Sequence, residues 1–157
     1  MSLLEKDYFN LFDLPMGLDI NVDELEARYK KLQRLVHPDR FSAKAECEKR
    51  LALQTSSYAN QAYQTLKNPL SRAVYLLKLH GVSLNLENNA AMSPEFLMQQ
   101  IQWRERLLSG DEGVKTEIHS AFNDAWACLK TAILEKDDER AAQCVAELSF
   151  IQKVLDA

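Results

Sequence analysis

Glycine and proline are scarce in this sequence, with four of each among 157 residues. A sandwich or barrel of many short strands needs these residues at its frequent turns, so their scarcity argues against an all-β fold. Apolar residues make up 46% and charged residues 27% of the chain, which is ordinary for a globular protein and unlike a disordered one. The composition therefore predicts an all-α fold with its own hydrophobic core.

Cysteine is also scarce, and the three copies, Cys47, Cys128 and Cys144, include no C-x-x-C pair. Such a set indicates neither a disulfide framework nor a cysteine-rich zinc site. We therefore interpret the three cysteines as small buried apolar residues. The sequence predicts that the protein has no cofactor and binds no metal of its own.

Long apolar runs are absent as well. Charged residues interrupt the N-terminal segment before it reaches the length of a signal peptide. No later run approaches the roughly 18 apolar residues that a membrane span requires. We therefore expect no membrane association and a reducing, aqueous compartment, most simply the cytoplasm.

Charge is distributed unevenly along the chain, although the net charge is only −4. Residues 28–80 hold eleven basic side chains against three acidic ones, a net +8, whereas residues 1–27 and 81–157 are each at −6. A basic segment of this kind attracts an acidic surface, either a nucleic acid or an acidic protein. The acidic flanks disfavour a small helical nucleic-acid-binding protein, which strongly salt-dependent DNA binding would reveal.

Helix signals mark three elements in the first half. Asn21 and Glu24 form a variant of the capping box and open the first long helix. That helix ends before Pro38, because proline disfavours the helical conformation in the preceding residue. Helical spacing continues over residues 51–66, and a shorter helix is predicted over 69–80.

The second half begins after a segment without helical period, residues 82–93, which we interpret as a connection between domains. Ser93 and Pro94 then have the residue types of a helix start, an N-cap followed by proline at the first helical position. Three helices are predicted over residues 94–109, 112–136 and 138–155. Because their connections are short, they should be antiparallel neighbours. The predicted domains are residues 1–81 and 94–157.

The loop of His37, Pro38 and Asp39 lies between a basic amphipathic helix and a long antiparallel one, and this arrangement resembles a J-domain. Residues 60–66 (NQAYQTL), 68–73 (NPLSRA) and 75–81 (YLLKLHG) closely resemble the HscB family, the J-domain co-chaperones of iron–sulfur cluster biogenesis. In that family a J-domain precedes a three-helix bundle. The resemblance therefore covers nearly the whole chain and implies a J-domain over residues 1–81.

Three roles are open to the loop. An enzyme would use His37 as a general base oriented by Asp39, but the sequence shows no nucleophile, phosphate loop or paired catalytic carboxylates to accompany it. A purely structural loop would use Pro38 to end the helix and its neighbours to satisfy helix-terminal groups. We favour the third role, in which the loop presents the His37 ring and the Asp39 carboxylate to a partner.

The bases of the first long helix face outward. Lys30 and Arg34 lie about 140° and 180° from Leu25 on a helical projection. Most such runs are simply solvated faces. Next to this loop, the resemblance implies that Lys30, Arg34 and Arg40 contact an acidic surface of a DnaK-type ATPase chaperone. Many J-domains carry lysine where this chain has Arg40, and a bidentate site would distinguish the two side chains.

The first helix of the predicted bundle has two apolar faces. They consist of Phe96, Trp103 and Leu107 on one side, and of Leu97, Met98 and Ile101 on the other. A helix in a three-helix bundle needs one apolar face, so the second is either extra core, such as an interface between domains, or an exposed binding surface. Phe150 is likewise either extra core or part of a binding surface, because it lies about 180° from the core positions of its own helix.

The resemblance assigns these positions a partner, since members of the family bind the iron–sulfur cluster scaffold protein through apolar and acidic residues on these two helices. The residues that match are Leu97, Met98, Ile101, Glu105 and Phe150. Bacterial relatives tend to carry glutamate where this chain has Gln99 and Gln102. That difference weakens the expected electrostatic part of scaffold binding and leaves the apolar part intact.

The sequence thus predicts a non-enzymatic adaptor. One end stimulates the ATPase of a DnaK-type, HscA-like chaperone, and the other delivers the cluster scaffold protein to it. A general J-protein for unfolded clients is the alternative within this class. It is disfavoured because neither a Gly/Phe-rich linker nor a cysteine-rich zinc module is present.

Overall fold

The computed structural model describes residues 3–41, 45–82 and 93–156, and within these ranges the chain is helical and contains no strand. The predicted all-α fold is confirmed. The α-helices of the described residues are α1 (Tyr8–Leu11), α2 (Val22–Val36), α3 (Glu46–Lys67), α4 (Pro69–Leu79), α5 (Pro94–Leu108), α6 (Gly113–Leu134) and α7 (Asp138–Asp156). Short 3-10 helices cover Leu3–Glu5 and Pro38–Phe41.

The chain divides into two compact units, Met1–Leu76 and Leu77–Ala157. The division falls inside α4, near the end of the first predicted domain. The domain limits at residues 81 and 94 stay a prediction. Most of the predicted connection, residues 83–92, lies outside the described residues.

The first unit is built on an antiparallel hairpin of α2 and α3. Gln33 and Ser56 join the two helices through two hydrogen bonds, of 3.1 Å to the Ser56 carbonyl and 2.7 Å between the side chains. One helical turn earlier on α2, the Tyr29 hydroxyl lies 3.1 Å from Asn60 Oδ1, and its ring stacks on Tyr63 with 4.2 Å between centroids. These contacts fix the register of the hairpin and hold the loop at its end.

Both ends of α2 follow from the sequence. The Asn21 side chain accepts a hydrogen bond of 3.1 Å from the Glu24 amide, as the capping pattern predicts. At the other end His37 leaves the helical region, with ψ at 132°, because Pro38 follows it. Leu25 is fully buried in the core of the unit, and Lys30, Lys31 and Arg34 of α2 are exposed.

The helix α3 begins five residues before the predicted start at Leu51. Its first turn contains Glu46 and Glu48, and carboxylates are favourable at the positive end of the helix dipole. The residues of this extra turn bury little apolar surface, so the sequence shows no helical spacing of apolar residues there. Leu51 itself is 51% exposed, and Ala52 takes the buried position next to it.

Arg72 of α4 is a charged side chain in the core of the first unit, with only 5% of its surface exposed. Its guanidinium donates to the carbonyl of Leu66 at 2.8 Å and to that of Leu18 at 2.7 Å. Burial lowers the pKa of Arg72, and Asp19 nearby opposes that shift. The guanidinium therefore joins the end of α3 to the segment before α2.

Replacing Arg72 with methionine should destabilise the protein by roughly 2–4 kcal/mol, because two buried carbonyls would lose their donor. Urea denaturation followed by circular dichroism measures this loss. The exposed Lys78 on the same helix is the matched control, and Lys78→Met should change stability by less than about 0.5 kcal/mol. Equal stability of the two variants would show that Arg72 does not join these segments.

The second unit is the predicted bundle of α5, α6 and α7, in which each helix contacts the other two. Ser93 caps α5 by accepting a hydrogen bond of 3.1 Å from the Phe96 amide. The two connections are tight, and each contains a residue in the left-handed region, Gly110 at φ 82° and Lys136 at φ 56°. The fully buried large side chains of these three helices are Val114, Ile118, Leu129, Val145, Leu148, Ile151 and Val154.

The prediction of three buried cysteines was correct only in part. Cys144 is buried, Cys128 is half-buried, and Cys47 is exposed. Cys47 lies in the first two turns of α3, where its neighbours are also exposed.

Candidate functional site

The first candidate site is the loop after α2, where His37 and Asp39 flank Pro38. Their side chains are exposed, at 56% for His37 and 92% for Asp39. Neither side chain is packed into the core of the first unit. Both are therefore accessible to a partner, as the sequence predicts.

Hydrogen bonding sets the orientation of the His37 ring. The Asp39 amide donates to His37 Nδ1 at 3.2 Å, so the proton of the neutral ring is on Nε2. Asp39 Oδ2 lies 3.6 Å from the same nitrogen, which is beyond hydrogen-bonding distance. A catalytic pair would need Nδ1 to donate to the carboxylate. The geometry thus favours recognition over general-base catalysis.

Arg40 contributes to the structure of the loop as well as to its charge. Its Nη1 donates to the carbonyl of Arg34 at 3.1 Å, and its amide donates to the carbonyl of His37 at 3.0 Å. The last carbonyls of a helix have no partner within that helix, and a cation near them is favoured by the helix dipole. Arg40 therefore fixes the loop against the end of α2.

The basic face of α2 is exposed, as predicted for Lys30 and Arg34. Lys30 forms a salt bridge of 3.1 Å with Glu26 one turn earlier, and the two side chains are 64% and 46% exposed. Such surface pairs contribute little to stability, so the pair can open for a competing carboxylate. The structure brings Lys30, Arg34 and Arg40 together with His37 and Asp39 on the same helix and its adjoining loop.

The second candidate site is the outer face of α5, and the structure identifies which of its two apolar faces is core. Trp103 is 3% exposed and belongs to the core of the bundle, whereas Met98 and Ile101 are 56% and 50% exposed. Glu105 is exposed and Leu97 is half-buried. Met98 and Ile101 are therefore the accessible apolar groups of this helix among the residues predicted to bind.

Phe150 of α7 is half-buried, and the Lys153 ammonium lies 5.1 Å from the centre of its ring. This helix contacts α5 within the bundle. Gln102 is exposed and Gln99 is half-buried, in a groove beside Trp103. Leu97 and Phe150 thus each pack partly into their surroundings, whereas Met98 and Ile101 are at least half exposed.

Leu108, at the end of α5, was missed by the sequence analysis. It is 89% exposed, and it lies only about 20° from Leu97 on a helical projection. The projection could have placed it on the same face as Leu97 and Ile101. It extends the apolar strip of α5 toward the C-terminal end of that helix.

Within the described ranges, no group of three or more histidine, cysteine or acidic side chains is arranged to hold a metal ion. Likewise, no helix in the part of the chain that the structure describes is long and apolar enough to cross a membrane.

Comparisons with known proteins give a consistent set of relatives. Residues 92–157 match the family model described as the HSCB C-terminal oligomerisation domain. The chain is 40% identical over 159 residues to the co-chaperone protein HscB homolog of Cupriavidus taiwanensis, covering 96% of this chain and 90% of that protein. It is also 40% identical over 162 residues to the homolog of Burkholderia mallei, with 98% and 93% covered.

Solved structures of similar proteins have the same fold. The human co-chaperone protein HscB superposes with a TM-score of 0.90 at 29% identity, covering 97% of this chain and 80% of that one. The chaperone HscB from Vibrio cholerae gives a TM-score of 0.86 at 33% identity, with 96% and 94% covered.

Proposed function

Because the chain belongs to the HscB family of co-chaperones, we propose that it stimulates the ATPase of a DnaK-type, HscA-like chaperone and delivers the iron–sulfur cluster scaffold protein to it. The observation that carries the proposal is the exposed pair of His37 and Asp39 at the end of a basic helix. It would act without catalytic chemistry of its own, in the cytoplasm, and without nucleic acid. The J-domain is proposed to comprise residues 1–81.

The chaperone is proposed to bind the basic face of α2 and the loop together. Lys30, Arg34 and Arg40 supply positive charge that steers an acidic surface to α2 and its loop. The bond from Arg40 to the Arg34 carbonyl fixes the loop before binding, so little ordering entropy is lost. His37 Nε2 and the Asp39 carboxylate then offer one donor and one acceptor for specific recognition.

Charge reversal on this face should weaken chaperone binding. For Lys30→Glu or Arg34→Glu we expect roughly a tenfold loss of affinity each, mostly through slower association. Added salt should weaken the unsubstituted pair, because charges separated by more than about 8 Å are screened at physiological ionic strength. Surface plasmon resonance at three salt concentrations measures both effects.

The control for this experiment is the exposed Lys115 on α6, outside the proposed chaperone surface. Lys115→Glu alters net charge by the same amount and should leave the affinity within about twofold. Binding that ignores both salt and the substitutions at Lys30 and Arg34 would contradict an electrostatic role for α2.

The scaffold protein is proposed to bind the outer face of α5 together with Phe150. Met98 and Ile101 are the exposed apolar anchors, Leu97 and Phe150 flank them, and Glu105 supplies an acidic group. Buried apolar anchors provide most of the binding energy of an interface. With glutamine at positions 99 and 102, scaffold binding should depend less on salt than chaperone binding does.

An adaptor that carries both sites in one chain brings its two partners together. A scaffold protein held on α5 is kept near the chaperone bound at the loop, and its effective concentration there rises without any new contact. The direct test is steady-state ATP hydrolysis by the purified chaperone. We expect the rate to rise with added chain and to rise further when the scaffold protein is also present.

A further inference from the structure

Two free cysteines face each other inside the bundle. Cys128 lies on α6 and Cys144 on α7, and their sulfur atoms are 3.0 Å apart. Both thiols are free in this structure. The sulfur atoms of a disulfide are about 2.05 Å apart. The two sulfurs therefore need to move only about 1 Å closer to form a bond that links the two helices.

The two thiols differ in access. Cys144 is 4% exposed, whereas Cys128 is half-buried and lines a groove whose walls include Phe96, Trp103 and Glu147. A small reagent in this groove can reach Cys128 and cannot reach Cys144 directly.

Burial also changes the reactivity of the second thiol. Burial raises the pKa of the Cys144 thiol to about 12, with the hydrogen bond to Cys128 adding to the effect. The accessible Cys128 thiol is therefore the group that meets a reagent first, and Cys144 lies buried beside it.

We infer that Cys128 and Cys144 form an oxidative modification site, in which a peroxide converts the pair to a reversible disulfide. The Cys128 sulfur attacks one oxygen of hydrogen peroxide, the O–O bond breaks, and the leaving hydroxide takes up the proton of the Cys128 thiol to form the first water. Cys128 becomes a sulfenic acid. The Cys144 sulfur then attacks the Cys128 sulfur, the S–O bond breaks, and the departing oxygen leaves as water with the thiol proton.

The balance is two thiols and one peroxide giving one disulfide and two waters. A dithiol reductant reverses the step by thiol–disulfide exchange. In a reducing compartment the two cysteines therefore stay reduced until peroxide accumulates. The proposal concerns the bundle alone and does not depend on the proposed co-chaperone function.

The disulfide would fasten α6 to α7 across the connection at residues 135–137. It closes a loop of about fifteen residues, which lowers the conformational entropy of the unfolded chain and so stabilises the folded protein. The midpoint of thermal unfolding should rise by roughly 5–15 °C in the oxidised protein.

The test treats the purified chain with hydrogen peroxide and maps the product by mass spectrometry. Trypsin separates the three cysteines, because Cys128 lies on the peptide 116–130, Cys144 on 141–153 and Cys47 on 45–49. We expect a linked pair of the peptides 116–130 and 141–153, a mass lower by two hydrogens, and recovery of both thiols with dithiothreitol.

Variants separate this pair from general thiol oxidation. Cys47→Ser removes the exposed third thiol and should leave the linked product unchanged. Cys144→Ala should stop the reaction at the Cys128 sulfenic acid, which dimedone traps on the peptide 116–130. The inference is overturned if peroxide oxidises Cys47 while Cys128 and Cys144 stay reduced, or if Cys128 is oxidised further without linkage in the unsubstituted protein.

Discussion

Replacing His37 with glutamine, or Asp39 with asparagine, should reduce the chaperone's ATPase rate to its basal value at every concentration of the variant chain. Each substitution removes one group from the loop, the imidazole in one case and the carboxylate charge in the other. Both side chains are exposed, so the free energy of unfolding should stay within about 1 kcal/mol of the unsubstituted value. Steady-state ATP hydrolysis and urea denaturation, measured on the same preparations, give the two quantities.

Matched controls for this experiment are available in the bundle unit. His119→Gln and Asp124→Asn make the same chemical changes at exposed positions on α6, and they should leave stimulation intact. If His37→Gln and Asp39→Asn instead unfolded the protein readily, the loop would be a structural element. If they stimulated the chaperone fully, the proposed chaperone site would be wrong.

Alanine at Leu97, Met98, Ile101 and Phe150 together should weaken scaffold binding by about 3–5 kcal/mol, a loss of roughly a hundredfold to several thousandfold. Met98 and Ile101 lose no core contact, since each is at least half exposed. Leu97 and Phe150 are half-buried, so their truncation should cost roughly 1–2 kcal/mol of stability in addition. Isothermal titration calorimetry with purified scaffold protein measures the affinity.

A second variant keeps this prediction testable if the quadruple substitution destabilises the bundle. Met98→Ala with Ile101→Ala should lose at least tenfold in affinity while unfolding like the unsubstituted chain. Leu134→Ala is the control, because Leu134 is an 83% exposed leucine on α6 and lies outside the proposed surface. Full scaffold affinity in the double variant would contradict the assignment of α5.

Local signals in the sequence predicted most of the helices. Asn21 with Glu24, and Ser93 with Pro94, mark starts that the structure confirms. The start of α3 was missed because residues 46–50 carry mainly charged side chains. A helical spacing of apolar residues can be recognised only where the helix buries apolar side chains. Charge at a helix start is a weaker and less specific signal than a side-chain cap.

The candidate sites were predictable in position and less so in detail. Helical projection placed Lys30 and Arg34 on an outer face, and the structure has them exposed. It placed Met98 and Ile101 on a second apolar face without deciding between core and binding surface, and the structure has both exposed. The bonds from Asp39 to the His37 ring and from Arg40 to the Arg34 carbonyl depend on the loop conformation, which spacing does not give. For the same reason, the contact of Cys128 with Cys144 follows from the packing of α6 on α7 and not from any sequence motif.

The most direct test of the central claim is co-isolation of both partners from the organism's own cells with three tagged forms of the chain, after brief crosslinking. The unsubstituted chain should recover a DnaK-type chaperone and an iron–sulfur scaffold protein. Asp39→Asn should recover the scaffold protein without the chaperone, and Met98→Ala with Ile101→Ala should recover the chaperone without the scaffold protein. Recovery of neither partner by the unsubstituted chain, or loss of both partners together in either variant, would contradict an adaptor with two separate sites.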